Sequence, residues 1–192
     1  EQQAAELFSS VQAMLPAASA EAASDDVPAG QTALPVGFES NIKLLDGSFS
    51  GGTYAQFADI YQAIALIRTG DYQGADSLLK PYENVATQSG NGQPAIDGER
   101  LSAELATLVR AKALLLIPER RDEAMRLLQA LMGNAVIVPA EAAIVRVRSA
   151  ADPNERAAAI ASVRQFVTDR PTFYDEVEQA LSPLGISFAP TS

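Results

Sequence analysis

The chain has 192 residues, 47% of them apolar, a formal net charge of −10, and no Cys, His or Trp. Without thiol or imidazole it lacks the usual zinc ligands, thiol nucleophiles and imidazole acid–base groups. Residues 1–99 carry 3 basic and 13 acidic side chains and residues 100–192 carry 11 of each, a balance that repels phosphate backbones and anionic lipid heads and argues against nucleic acid or a membrane surface as partner.

From Glu1 to Leu15, the apolar side chains Leu7, Phe8, Val11, Met14 and Leu15 recur at helical spacing, and Pro16 follows. This predicts a short amphipathic helix over 1–15. A start at Glu-Gln-Gln is compatible with a signal peptide or membrane anchor removed upstream. Residues 16–36 (PAASAEAASDDVPAGQTALPV) are small, acidic and proline-dotted. Such a composition buries too little apolar surface to offset its ordering entropy, so this stretch reads as a linker whose deletion leaves stability unchanged. Within Gly37–Asp46, the residues Phe38, Ile42, Leu44 and Leu45 suggest a short helix, and Gly47–Gly52 reads as a loop. Residues 16–52 are therefore linker and loop, with that one possible helix.

The stretch from Tyr54 to Tyr82 organises the rest. Phe57, Ile60/Tyr61, Ile64 and Ile67 form a stripe at steps of three and four, and a second stripe follows at Ala75, Leu78, Leu79, Tyr82 and Val85. Gly70 stops the first, because glycine enters the left-handed cap conformation without a steric penalty. Two helices joined by so short a turn pack antiparallel. Asn84–Gly98 then reads as a long loop. Its Ser89-Gly90-Asn91-Gly92-Gln93-Pro94 follows no strand and completes no phosphate-binding motif, so a plain turn is expected. A second hairpin pairs the stripe Leu101, Leu105, Leu108, Ala111, Leu115 with Ala124, Leu127, Leu128, Leu131, across a turn at Ile117–Arg121. After Val136-Ile137-Val138, a short extended step, Ala140–Ala150 turns Ala143, Ile144 and Val147 inward. Asp152-Pro153-Asn154-Glu155 is a helix start, with Asp as N-cap and Pro at the first helical position. A last helix places Phe173, Val177 and Leu181 inward before Pro183 and Gly185 stop it, and 186–192 is a tail that Ile186 and Phe188 could staple down. The fold class is all-α, a helical domain over 53–185. The longest clear apolar run, Ala111–Ile117, is far too short to cross a bilayer, so this fragment does not insert directly in a membrane.

Catalytic, metal and cofactor-binding residues: none emerge. The pairs Asp25/Asp26, Asp122/Glu123 and Asp175/Glu176/Glu178 lie in the linker or at helix starts, where a negative charge is solvated or favoured by the helix dipole. Asp46-Gly47-Ser48 lacks the further acids of a calcium loop. Arg120-Arg121 reads as a solvated turn rather than an anion clamp.

Gly70-Asp71-Tyr72 followed by Ala75, the helix Arg110–Leu115 and Asp122-Glu123-Ala124 resemble the tetratricopeptide (TPR) repeat, and more particularly the TPR-like periplasmic domain behind a single membrane anchor in proteobacterial ancillary translocon proteins. Ala75 and Ala124 are 49 residues apart against a usual TPR period of about 34, which fits two repeats separated by the Asn84–Gly98 insertion. The resemblance implies antiparallel hairpins stacked as a short solenoid. It also implies a periplasmic or envelope location and a non-enzymatic interaction module holding a protein partner. The alternative is a structural accessory subunit permanently built into a larger membrane-associated complex. The candidate partner-binding residues are Phe57, Ile60, Ile64 and Ile67. Their face is expected to be core, covered by the helix at 1–15, unless it is left open as a groove.

Overall fold

The structure, a computed structural model, describes residues 40–44, 53–87 and 98–188. The helix expected at 1–15, the linker 16–36 and residues 45–52, 88–97 and 189–192 lie outside the described residues. The described chain is all-helical. A short helical segment at 40–44 precedes eight α-helices: α1 Thr53–Arg68, α2 Tyr72–Leu79, α3 Glu83–Thr87, α4 Gly98–Leu115, α5 Arg121–Asn134, α6 Pro139–Arg148, α7 Pro153–Asp169 and α8 Tyr174–Leu181.

The α1–α2 turn follows from two glycines and one aspartate. Gly70 has φ +86°, its N–H donates to Ile67 O at 3.1 Å, and the Asp71 N–H donates to Leu66 O at 2.8 Å. This pair of bonds satisfies the carbonyls that the end of α1 would leave unpaired. Asp71 then caps α2, accepting from Gly74 N at 2.8 Å. A Cβ on Gly74 would lie 2.4 Å from the Asp71 carboxylate, so glycine there lets the cap close. At Gly70 an added Cβ would meet nothing within 4 Å; the constraint is the backbone angle alone. Gly70→Val is therefore expected to destabilise the fold by about 1 kcal/mol or more, read as a shift in the chemical-denaturation midpoint at unchanged slope. An unchanged midpoint would contradict it.

The second stripe is not one helix through Val85. Pro81 lacks an N–H and clashes with the preceding turn, and the chain tightens into a 3₁₀ turn at Lys80–Tyr82 between α2 and α3. The expected loop at Asn84–Gly98 is thus shorter, since 84–87 belong to α3 and Gly98 opens α4. At α7 the expected cap is present: Asp152 Oδ1 accepts from Asn154 N at 2.8 Å and Glu155 N at 2.9 Å, with Pro153 following. The start of the tail is not loose. Ile186 and Phe188 are buried, and Glu178 accepts from Phe188 N at 2.8 Å and from the Ser187 hydroxyl at 3.0 Å.

Among the described residues two apolar cores result, and α4 serves both. The larger gathers α3 to α8 around Leu114, Leu128, Leu131, Val163 and Leu181, with the Phe173 ring stacked 5.8 Å from Phe166 at its edge. The smaller joins α1, α2 and α4 through Ile60, Ala63, Ala75, Leu79, Ala106 and Ala113. α4 packs against α1, α2, α3 and α5, and α5 packs in turn on α6. A helix enclosed by four others buries most of its surface, including the charged side chains of Arg100, Glu104 and Arg110.

Candidate functional site

Arg100, Glu104 and Arg110 all lie on α4, and their relative exposures are 8%, 0% and 0%. Charges taken this far from water persist only when paired and hydrogen-bonded. Arg110 meets three carboxylates. Its Nε donates to Asp76 Oδ1 at 2.6 Å, Nη1 to Glu83 Oε2 at 2.5 Å and Nη2 to Glu123 Oε1 at 2.6 Å. Arg120 closes the arrangement from the α4–α5 turn, reaching Asp76 Oδ2 at 3.2 Å and Glu123 Oε2 at 2.6 Å. Asp76 and Glu123 thereby bridge both guanidinium groups, and one ring of charge ties α2, α4 and α5 together, with α3 held through Glu83.

A second brace sits nearer the α4 N-terminus. Glu104 accepts from Arg100 Nε at 2.7 Å and from the backbone N–H groups of Val136 (3.0 Å) and Ile137 (2.7 Å). Arg100 also donates to Asn134 O at 2.8 Å. The α5–α6 connection is therefore pinned to α4 by one carboxylate. A third brace runs from Arg121 to the Ser149 carbonyl and to Glu155 at 3.2 Å, joining α5 to the α6–α7 turn.

The electrostatics favour bracing over proton transfer. Burial alone would lower the Arg110 pKa, but the hydrogen bonds and charges of Asp76 and Glu83 outweigh it and raise it. Burial alone would raise the Glu123 pKa, but hydrogen bonds from and attraction to Arg120 and Arg110 hold this carboxyl below its ordinary value. A carboxylate so stabilised is a poor general acid near neutrality. Its folded pKa is below its unfolded one, so the stability it contributes is complete above the unfolded value of about 4.3 and fades as pH falls through the folded value. Melting temperature is thus expected to drop on acidification below about pH 5, and Glu123→Gln should flatten part of that slope. An identical slope in the variant would contradict this.

The predicted partner-binding face is divided. Ile60 lies in the smaller core at 5% exposure, while Phe57, Ile64 and Ile67 are half-buried against it. Residues of α2 and α4 pack on this face; the helix expected to cover it lies outside the described residues. Gln56 and Ser102 also bond α1 to α4, and Tyr82 donates to Asp59 at 2.6 Å across to α1. The reading of Arg120-Arg121 as a solvated turn is corrected: Arg120 pairs with the buried Asp76 and with Glu123, and Arg121 with the part-buried Ser149 carbonyl and Glu155. The helix-start role given to Glu123 is likewise incomplete, because it closes the ring, whereas Asp122, Asp175 and Glu176 are exposed as expected.

Sequence reasoning missed Asp76, Glu83, Arg100, Glu104 and Arg110. One signal for them exists: α4 carries alanine or leucine on all sides (Leu101, Ala103, Leu105, Ala106, Leu108), the pattern of an enclosed helix. Any charge within it then needs a partner. No family model, curated protein or solved structure matches this chain.

Proposed function

We propose that this chain is a non-enzymatic protein–protein interaction module, an adaptor or assembly factor of the bacterial envelope. In this reading α1/α2 and α4/α5 are TPR-like antiparallel hairpins stacked as a short solenoid. The observation that carries it is the equivalence of Ala75 and Ala124. They occupy the same place in the second helix of each pair, and both are fully buried at 0%. Ala63, Ala106 and Ala113, also at 0%, line the contact of α1 and α2 with α4. Small side chains at these places let helix axes approach closely, as stacked helix pairs require. The interior charges then act as ties that hold the pairs in register. The half-buried outer edges of Phe57, Ile64 and Ile67 form the side a partner segment would meet.

The test places a photo-cross-linking amino acid at 57, 64 or 67 of the full-length protein in its native cells, with exposed Arg164 of α7 as the control position. One discrete protein adduct at the α1 positions and none at the control is expected. Adducts absent at all positions would overturn the reading. Un-irradiated protein that runs on size exclusion only together with that partner, with no free chain, would instead indicate a permanently built-in subunit.

A further inference from the structure

The two cores that meet on α4 are unequal. The smaller, beneath α1 and α2, has six buried members, and four of them (Ala63, Ala75, Ala106 and Ala113) are alanine. Alanine buries little apolar area, so beyond Ile60 and Leu79 this core relies on half-buried side chains such as Phe57, Ile64 and Ile67. The larger core is built on full-sized side chains, among them Leu114, Leu128, Leu131 and Leu181. Among the described residues, α1 packs mainly on α2 and α4, and α2 on α1 and α4. The hairpin thus rests on one side of a single helix.

The boundary between the cores falls at one place in the chain. Pro81 has no N–H to donate and breaks the helix, and the 3₁₀ turn Lys80–Tyr82 separates α2 from α3. Upstream of that turn Leu79 belongs to the smaller core; downstream of it Ala86 belongs to the larger. Tyr82, inside the turn, packs against both. Glu83 follows and bonds to Arg110, so α3 stays anchored on the side of the larger core. From the hairpin, Asp76, 3% exposed, reaches across to Arg110 and Arg120. Without Asp76 the ring keeps two guanidinium groups and two carboxylates, joined as Arg110–Glu83, Arg110–Glu123 and Arg120–Glu123. Its departure into water therefore leaves no charge of the ring unpaired.

We propose that α1 and α2 form a separate cooperative unit that comes off α4 about the Lys80–Tyr82 turn while α3 to α8 stay folded, with Asp76 as its clasp. Off the scaffold, α2 with its 8 residues is too short to persist as a helix, so the unit unfolds as it opens. Such an opening costs less than global unfolding, and it bares a seam on α4 that includes Ala106, Val109 and Ala113. The inference concerns the hairpin itself and stands whether or not Phe57, Ile64 and Ile67 meet a partner.

Native-state hydrogen exchange of the full chain, under conditions where reclosing outpaces exchange, tests it. The amides of Ile60 in α1 and Leu79 in α2 are expected to share one opening constant, at least about tenfold larger than that of Leu128 and Leu131 in α5. Val147→Ala, at a 2% exposed position of the larger core, weakens the closed and the opened forms alike. It should speed exchange at Leu128 and Leu131 by about tenfold and leave Ile60 and Leu79 unchanged. Should Val147→Ala not fold, the milder Ile144→Val replaces it, with an effect of several-fold at the same two α5 amides. Asp76→Asn should speed Ile60 and Leu79 by about tenfold or more. A rise at Ile60 and Leu79 equal to that at Leu128 in the larger-core variant would make the molecule one cooperative unit and overturn the proposal. Different opening constants at Ile60 and Leu79, or none of the expected acceleration in Asp76→Asn, would overturn it as well.

Discussion

Arg110→Met is expected to lower stability by about 3–5 kcal/mol, the usual result of removing one partner from a buried ion pair. Methionine fills nearly the same space, so little of the loss would come from a cavity. The loss comes from the carboxylates left behind. Asp76, at 5% side-chain exposure, keeps only the 3.2 Å contact with Arg120, whereas Glu83 at 37% and Glu123 at 26% can turn to water. For a folded domain of this size the loss corresponds to a melting temperature lower by roughly 10 °C. The same asymmetry ranks the partners: Asp76→Ala should cost more than Glu83→Ala. Equal small effects from all three would mean that water reaches the ring.

Glu104→Leu is expected to cost a similar amount, about 3–5 kcal/mol, by a different route. The Glu104 carboxylate holds Arg100, itself 10% exposed at the side chain, together with the N–H groups of Val136 and Ile137. Leucine leaves a buried guanidinium with its Asn134 carbonyl contact and two backbone donors without this acceptor. Because the lost bonds hold the α5–α6 connection, amide exchange should accelerate at Val136 and Ile137 before it does in α7. Protection at those two amides unchanged from the wild type would contradict the assignment.

These two substitutions fall where sequence reading was weakest, and the physics explains why. Helix existence and ends were legible because their causes are local. Gly70 needs positive φ, Asp152 caps, Pro153 suits a first turn, and the stripes of α5 and α6 keep helical period. Pro81 was as local a signal, and reading the stripe through it joined α2 to α3 wrongly. Burial of charge is not local. Asp76 and Arg110 are 34 residues apart, and Glu104 and Val136 are 32 apart; nothing in either neighbourhood announces the other. Arg120 looks like a turn residue in one dimension and becomes a tie only when α2 is packed beside it. The apolar stripe of α1 was legible as a stripe, but which helices cover it depends on how α2 and α4 fold back.

The measurement closest to the central claim, that interior charges tie the helices into one scaffold, is a double-mutant cycle on Arg110 and Asp76 followed by chemical denaturation. Arg110→Met and Asp76→Ala are expected to be far from additive, with a coupling energy of about 2 kcal/mol or more, as for contacting residues in one network. Additivity within about 0.5 kcal/mol, the behaviour of distant sites, would contradict the account.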